Sequence, residues 1–248
     1  MIKIRPRNKT NFDTAQSVSA FLPKLPARII VAGPSGTGKG VLVSSLLLDP
    51  QLYKGAFSKI YYFSGSATLD HSLEPLKEYA ARELRQGKDD PCLRDGWDEK
   101  EVARILEKQR KVVEIAKNRN LPEIPGICIV CDDLADDRKT MQGSMLQTLF
   151  TRGRHFMATC VLMSQRLRLM QISCRCNASA LICFRLRNLK DLEAVIEESS
   201  ALADKETLLG VYNHATRDKY GFLYIDLMQA DPNLMFFKNF DSRLRISE

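Results

Sequence analysis

Three glycines within six residues, closed by a lysine, could fold around a phosphate. They stand in Gly33-Pro34-Ser35-Gly36-Thr37-Gly38-Lys39-Gly40. Glycine lets the backbone curl until several N–H groups face one anion. Lys39 would reach the β- and γ-phosphates of a nucleotide such as ATP. The Ser or Thr that ordinarily follows this lysine and offers a hydroxyl to Mg²⁺ is Gly40 here. That departure bears more on metal handling and hydrolysis rate than on nucleotide binding. The bland reading, a glycine turn between a strand and a helix, leaves the lysine unexplained.

A second group lies further along. Asp132 and Asp133 close an apolar run, which is the Walker B arrangement. Asp132 would hold Mg²⁺ directly or through water. Asp133 would orient or deprotonate the attacking water. The competing reading is an acidic loop, since Asp136 and Asp137 follow. Gln165 ends another apolar run and could position the water or sense the γ-phosphate. Arg152 and Arg154, with Arg175 as a further candidate, could supply a cation in trans to the transferring phosphoryl group. They could equally contact DNA phosphates, and residue types do not separate these roles. His155 reads as a packed or hydrogen-bonded histidine rather than an acid or base.

These side chains need elements to position them. Arg28–Ala32 is a short apolar strand ahead of the glycine loop, and Val41–Leu48 has helical spacing after it, stopped by Asp49-Pro50. Strands are also predicted at 59–63, 127–131, about 159–163 and about 180–184, with a last strand or hairpin arm at 221–225. Helices are predicted at Met141–Phe150 and Leu189–Ser199. Residues 69–120 are polar and helical in pattern, with Lys88–Pro91 and Arg94–Gly96 as loops. Prolines 6, 23 and 26 make residues 1–26 a basic arm, which leaves 27–248 as one nucleotide-binding domain with a helical insertion at 69–120. Strands alternating with helices predict an α/β fold: a mainly parallel sheet of about five or more strands, covered by helices on both faces.

Composition narrows the setting. No apolar run approaches the ~20 residues of a membrane helix, and the N-terminal residues have no apolar core of secretory type. An intracellular protein is expected. The 7 cysteines are odd in number and lack framework spacing, against a disulfide scaffold. Cys174 and Cys176, near Cys183 and His155, could be imagined around zinc, but the usual Cys-x₂-Cys spacing is absent. The net charge is +7, and between Arg138 and Lys190 every charged side chain is Lys or Arg. Such a stretch suggests a polyanionic partner, nucleic acid above all. Its alternative is a surface balanced by the acid-rich segment Asp191–Glu206.

The ordered set of motifs resembles the poxvirus-type genome-packaging ATPases of double-stranded DNA viruses, within the FtsK–HerA group of P-loop motors. The resemblance rests on Ala27–Lys39, Lys59–Ser64, Ile129–Leu134, Gly153-Arg154-His155, Ser164-Gln165 and Arg175-Cys176-Asn177. It implies a P-loop NTPase with ASCE/RecA-like strand order. It also implies a ring-shaped homo-oligomer that uses ATP and Mg²⁺ to drive double-stranded DNA into a preformed capsid or packaging vertex. Such a protein works at the viral assembly site of an infected cell or on the virion. Lys39, Asp132, Asp133 and Gln165 would act within one subunit, and Arg152 or Arg154 would enter the neighbour's site. Gly40 departs from the family's Ser or Thr. Two other readings stand beside this one. A guanylate-kinase-like enzyme shares Gly after the lysine, but Val41 stands where that family has Thr. A nucleotide-binding DNA or capsid module without turnover would explain Gly40.

Overall fold

The computed structural model describes residues 14–132, 140, 143–200 and 203–246. The apolar runs form the strands β1 (Arg28–Ala32), β2 (Lys59–Ser64), β3 (Leu93–Asp95), β4 (Ile127–Asp132), β5 (Ala158–Ser164), β6 (Ala180–Phe184), β7 (Phe222–Asp226), β8 (Phe236–Lys238) and β9 (Ser242–Leu244). The helices are α1 (Lys39–Leu48), α2 (Glu74–Arg82), α3 (Glu99–Asn118), α4 (Ser144–Arg152), α5 (Ile172–Cys176), α6 (Leu189–Ser199) and α7 (Lys205–Ala215).

The strands make one sheet in the order β3-β2-β4-β5-β1-β6-β7-β8-β9. From β3 to β6 every pairing is parallel, and β7, β8 and β9 extend the sheet antiparallel. The central strands β1, β4, β5 and β6 are buried almost throughout, which is why they read as unbroken apolar runs. Alternate residues point to opposite faces. Ile30, Ile129 and Leu162 pack beneath α3, α4, α6 and α7, through Val102, Leu149, Val195 and Leu208 among others. Ile29, Val31 and Val130 pack beneath α1 and α2, through Val43, Leu47 and Leu76.

The register sets up the site. Ala32 pairs with Ser164, and Cys131 with Leu162. The carboxyl ends of β4, β5 and β1 therefore reach one sheet edge side by side. Strand spacing of ~4.8 Å puts the end of β4 roughly 10 Å from that of β1, with β5 between.

Several elements differ from or add to the sequence expectation, the helices α5 and α7 among the additions. Leu93–Asp95 is a parallel edge strand rather than loop. Leu93 pairs with Tyr62, and Arg94 is tied by ion pairs to Asp90 and Glu101, so its charge sits at the sheet's edge. The helix expected from Met141 is described from Ser144 and runs on to Arg152. The strands β8 and β9 are short and follow Pro232, and their pairing depends on β7. Residues 14–26 carry no helix or strand, yet Leu22 and Leu25 are buried against the α1 face.

Candidate active site

The glycine loop leaves β1 and turns into α1. Its first turn of geometry is fixed by contact: the Gly33 N–H donates to the Ser164 carbonyl at 3.1 Å, tying the loop to the end of β5. A Cβ at Gly33 would lie 2.8 Å from the Cβ of Phe184 and 2.9 Å from Thr37 Oγ1, so only glycine fits between them. Gly38 is the N-cap of α1 with φ 99°, the left-handed region, and no side chain caps the helix. The N–H groups of the first turn face the loop at the positive end of a ten-residue helix. Pro50 forces Asp49 into extended backbone and ends that helix. Lys39 Nζ lies inside the loop, donating to the Gly33 carbonyl at 2.7 Å and the Pro34 carbonyl at 3.0 Å. A cation held against loop carbonyls, beside the N-terminus of a helix, is the arrangement that takes phosphate oxygens.

Asp132 ends β4. Its Oδ2 accepts from the Tyr62 hydroxyl at 2.8 Å, and Tyr62 is itself buried in β2. Burial first, and then the neighbouring Asp132 carboxylate, hold the Tyr62 phenol protonated far above its ordinary range. It therefore stays a donor and orients the carboxylate. No group of three or more His, Cys, Asp or Glu able to hold a metal occurs among the described residues. An oxygen-donor site with one carboxylate beside a phosphate cradle nevertheless fits Mg²⁺, which keeps several waters and binds through one or two carboxylates plus substrate phosphates. Asp132 is the residue that would hold it.

Gln165 follows β5 and sits beside Pro34 and Ser35. With Arg166, Arg187, Asn188 and Asp191 they line a cleft of about 310 Å³. Asp191 is buried, accepts from Arg166 Nε at 3.0 Å and from the Arg168 N–H at 3.2 Å, and so fixes the segment after Gln165. Arg187 and Asn188 were not among the residues singled out from the sequence. The signal was available, because they lie just beyond β6, the other neighbour of β1, as Gln165 lies just beyond β5.

Lys39, Asp132 and Gln165 therefore share one sheet edge; Asp133 lies outside the described residues. Arg152 and Arg154 do not join them. They precede β5 and are exposed at the amino edge of the sheet, where burial, and next Arg154, lower the pKa of Arg28 at the start of β1. A strand of seven residues separates them from Gln165, a rise of roughly 23 Å. Arg175 is engaged elsewhere, paired with Glu198 at 3.0 Å with only 12% of its side chain exposed. His155, read from the sequence as packed or hydrogen-bonded, is exposed. Cys174 is buried and Cys176 exposed, since residues two apart on a helix point to different sides. The basic stretch is partly neutralised by the acidic α6, through the Arg166–Asp191 and Arg175–Glu198 pairs.

A family model described as "Poxvirus A32 protein" matches residues 98–226, just over half of the 248 residues, from α3 to the end of β7. "Uncharacterized protein 075L" of Invertebrate iridescent virus 6 is 22% identical over 215 residues, covering 83% of this chain and 72% of that protein. Among solved structures, the DNA-packaging ATPase B204 from Sulfolobus turreted icosahedral virus superposes with a TM-score of 0.56 at 14% identity, covering 90% of this chain and 99% of its own. The pCW3 conjugation coupling protein TcpA gives 0.55 at 18% identity over 84% of this chain. The chain spans 58% of the length of TcpA. These likenesses show a P-loop ATPase fold. No helix among the described residues is long and apolar enough to cross a membrane.

Proposed function

The chain belongs to the poxvirus A32 protein family, and on that footing we propose that it is an ATPase that drives double-stranded viral DNA into a preformed capsid. The observation that carries this reading is the meeting, at the carboxyl edge of one parallel sheet, of the Lys39 loop, Asp132 and Gln165, with β5 between the two strands that bear the first two. B204 is described as a DNA-packaging ATPase and TcpA was solved with ATPγS, and both support nucleotide use by this chain.

In the proposed reaction the loop N–H groups and Lys39 bind the phosphates of ATP. Asp132, oriented by Tyr62, holds Mg²⁺, which when bound neutralises charge on the phosphates. Gln165 and Asp133 orient the attacking water, and Asp133 takes its proton. Arg152 and Arg154 act in trans, because each lies too far from its own subunit's loop to serve there. A ring of identical subunits is the assembly in which such action in trans would take place. The exposed arginines and lysines left unpaired by α6 grip the DNA backbone without regard to sequence, a grip that weakens with salt. Residues 1–26 are the basic segment preceding the motor, 27–248, with 69–120 as an insertion within it. The protein acts at the viral assembly site of the infected cell or with the virion.

The test is ATP hydrolysis by the purified protein with Mg²⁺, with and without long duplex DNA, alongside Lys39→Ala. DNA-stimulated turnover abolished in Lys39→Ala is the expected result. ATP binding without turnover under all conditions would favour a binding module, for which Gly40 is the specific observation. Phosphoryl transfer to GMP would favour the kinase.

A further inference from the structure

The γ-phosphate side of the loop is marked by β5 and β4. A nucleotide lying across the loop with its γ-phosphate on that side would send its base towards the other, where the sheet continues as β6 and β7. There the molecule has a cleft of about 650 Å³ lined by Gly38, Val41, Leu42, Phe184, Tyr220 and Phe222. No charged side chain lines it among the described residues, which is unusual beside a phosphate cradle. Val41 is 67% exposed and Tyr220 59% exposed, so two large apolar surfaces face open space next to Gly38. An ideal Cβ on Gly38 would lie 3.5 Å from Tyr220 Cδ1, which places the ring's edge at the mouth of the loop.

Tyr220 is also held there under strain. Its φ is 66°, a left-handed conformation that a bulky residue adopts only at a cost in strain. The turn that imposes it is tight: the Gly221 N–H donates to the Asp218 carbonyl at 3.0 Å, and a Cβ at Gly221 would meet the Ala215 carbonyl at 2.8 Å. One side of the ring has Lys219 Nζ at 5.0 Å from its centroid. An aromatic ring fixed at a strained turn and left half uncovered is a stacking platform.

We propose that the cleft between Tyr220, Val41 and Phe184 is the nucleobase subsite, and that it takes purines by stacking rather than by reading their edges. This rests on the nucleotide-binding reading above. Besides the Tyr220 hydroxyl, the only side-chain hydrogen-bonding group in the lining among the described residues is the Ser45 hydroxyl. Adenine and guanine differ at their edges and not in their stacking faces, so a subsite of this kind accepts both.

Calorimetric titration of the full chain with ATP, GTP and inorganic triphosphate tests it, on wild type, Tyr220→Ala and Tyr220→Phe. The expected result is wild-type affinities for ATP and GTP within a few-fold, both roughly tenfold or more above inorganic triphosphate. Tyr220→Ala loses that advantage and leaves inorganic triphosphate binding unchanged, whereas Tyr220→Phe keeps it. Equal loss of ATP and inorganic triphosphate in Tyr220→Ala would mean a collapsed turn, and the proposal then stands or falls on Tyr220→Phe and on the wild-type ratio of ATP to inorganic triphosphate. A wild-type ratio near one overturns the base subsite and leaves the phosphate loop standing. Wild type binding neither ligand overturns both.

Discussion

Restoring a hydroxyl at position 40 separates the two things that Gly40 changes. The residue is the second of α1. A Cβ built there meets nothing within 4 Å, and its φ is not in the left-handed region. A side chain is therefore admitted without strain. Replacing glycine in a helix is worth about 1 kcal/mol for alanine and about 0.5 kcal/mol for serine. For a chain of this size that is a rise in Tm of roughly 1–4 °C. The serine hydroxyl adds a second effect, since it can displace one water from Mg²⁺ held near Asp132. Releasing an ordered water is worth up to about 2 kcal/mol, so the half-saturating Mg²⁺ concentration for ATP hydrolysis should fall by up to roughly 30-fold. Gly40→Ala is the control, since it gains the helix term alone. The assays are thermal melting and a Mg²⁺ titration of turnover for Gly40→Ser, Gly40→Ala and wild type. Both variants should melt higher, and only Gly40→Ser should need less Mg²⁺. A lower Tm in both would refute the argument from space. A Mg²⁺ dependence identical in all three would refute the claim that position 40 faces the metal.

Other perturbations follow from particular contacts. Tyr62→Phe removes the donor that orients Asp132; a hydrogen bond to an ionised acceptor is worth about 1.5 kcal/mol or more, so turnover should fall roughly tenfold while nucleotide binding without Mg²⁺ is kept. Mixing Arg152→Ala/Arg154→Ala subunits with Lys39→Ala subunits should restore part of the ATPase activity that each lacks alone, because each mixed interface can pair an intact loop with an intact arginine; no recovery in assembled mixtures would count against action in trans. Alkylation of the native protein should modify Cys176 alone, since the other cysteines are buried and burial pushes the Cys174 thiol up to about 12; intact mass should show one adduct before denaturation and 7 after. Tyr212 accepts from the Leu186 N–H at 2.6 Å, and burial raises its phenol from 10.0 to about 12. A raised folded-state pKa gives stability that is complete below the unfolded value and lost as pH rises through the folded one. Tyr212→Phe should therefore cost about 1 kcal/mol near neutrality, a deficit that chemical denaturation shows shrinking between pH 10 and 12.

What the sequence made legible follows from where each residue's constraint lies. The loop from Gly33 to Lys39 could be read because backbone geometry dictates its residue types: Gly33 has Phe184 against it and Gly38 has a positive φ. The central strands could be read because burial on both faces demands apolar residues at every position. Asp132 and Gln165 could be read because each interrupts such a run at its end. The remainder was hidden because its constraint comes from distant pairing. Leu93–Asp95 is a strand only through Tyr62–Ser64, and β9 only through β8. Tyr62 looked like any β-forming residue, and only the alignment of Ser64 with Asp132 shows why a hydroxyl is wanted there. Tyr220 is the sharpest instance. In sequence it is a polar-turn aromatic next to a glycine, with nothing to connect it to Gly38. The fold connects them by laying β6 and β7 on the far side of β1, which turns an exposed, strained ring into a wall of the phosphate loop. Residues that the chain alone cannot relate to a site are those brought to it by strand order, and the polar and aromatic residues flanking each neighbour of the loop strand are where such residues should be sought.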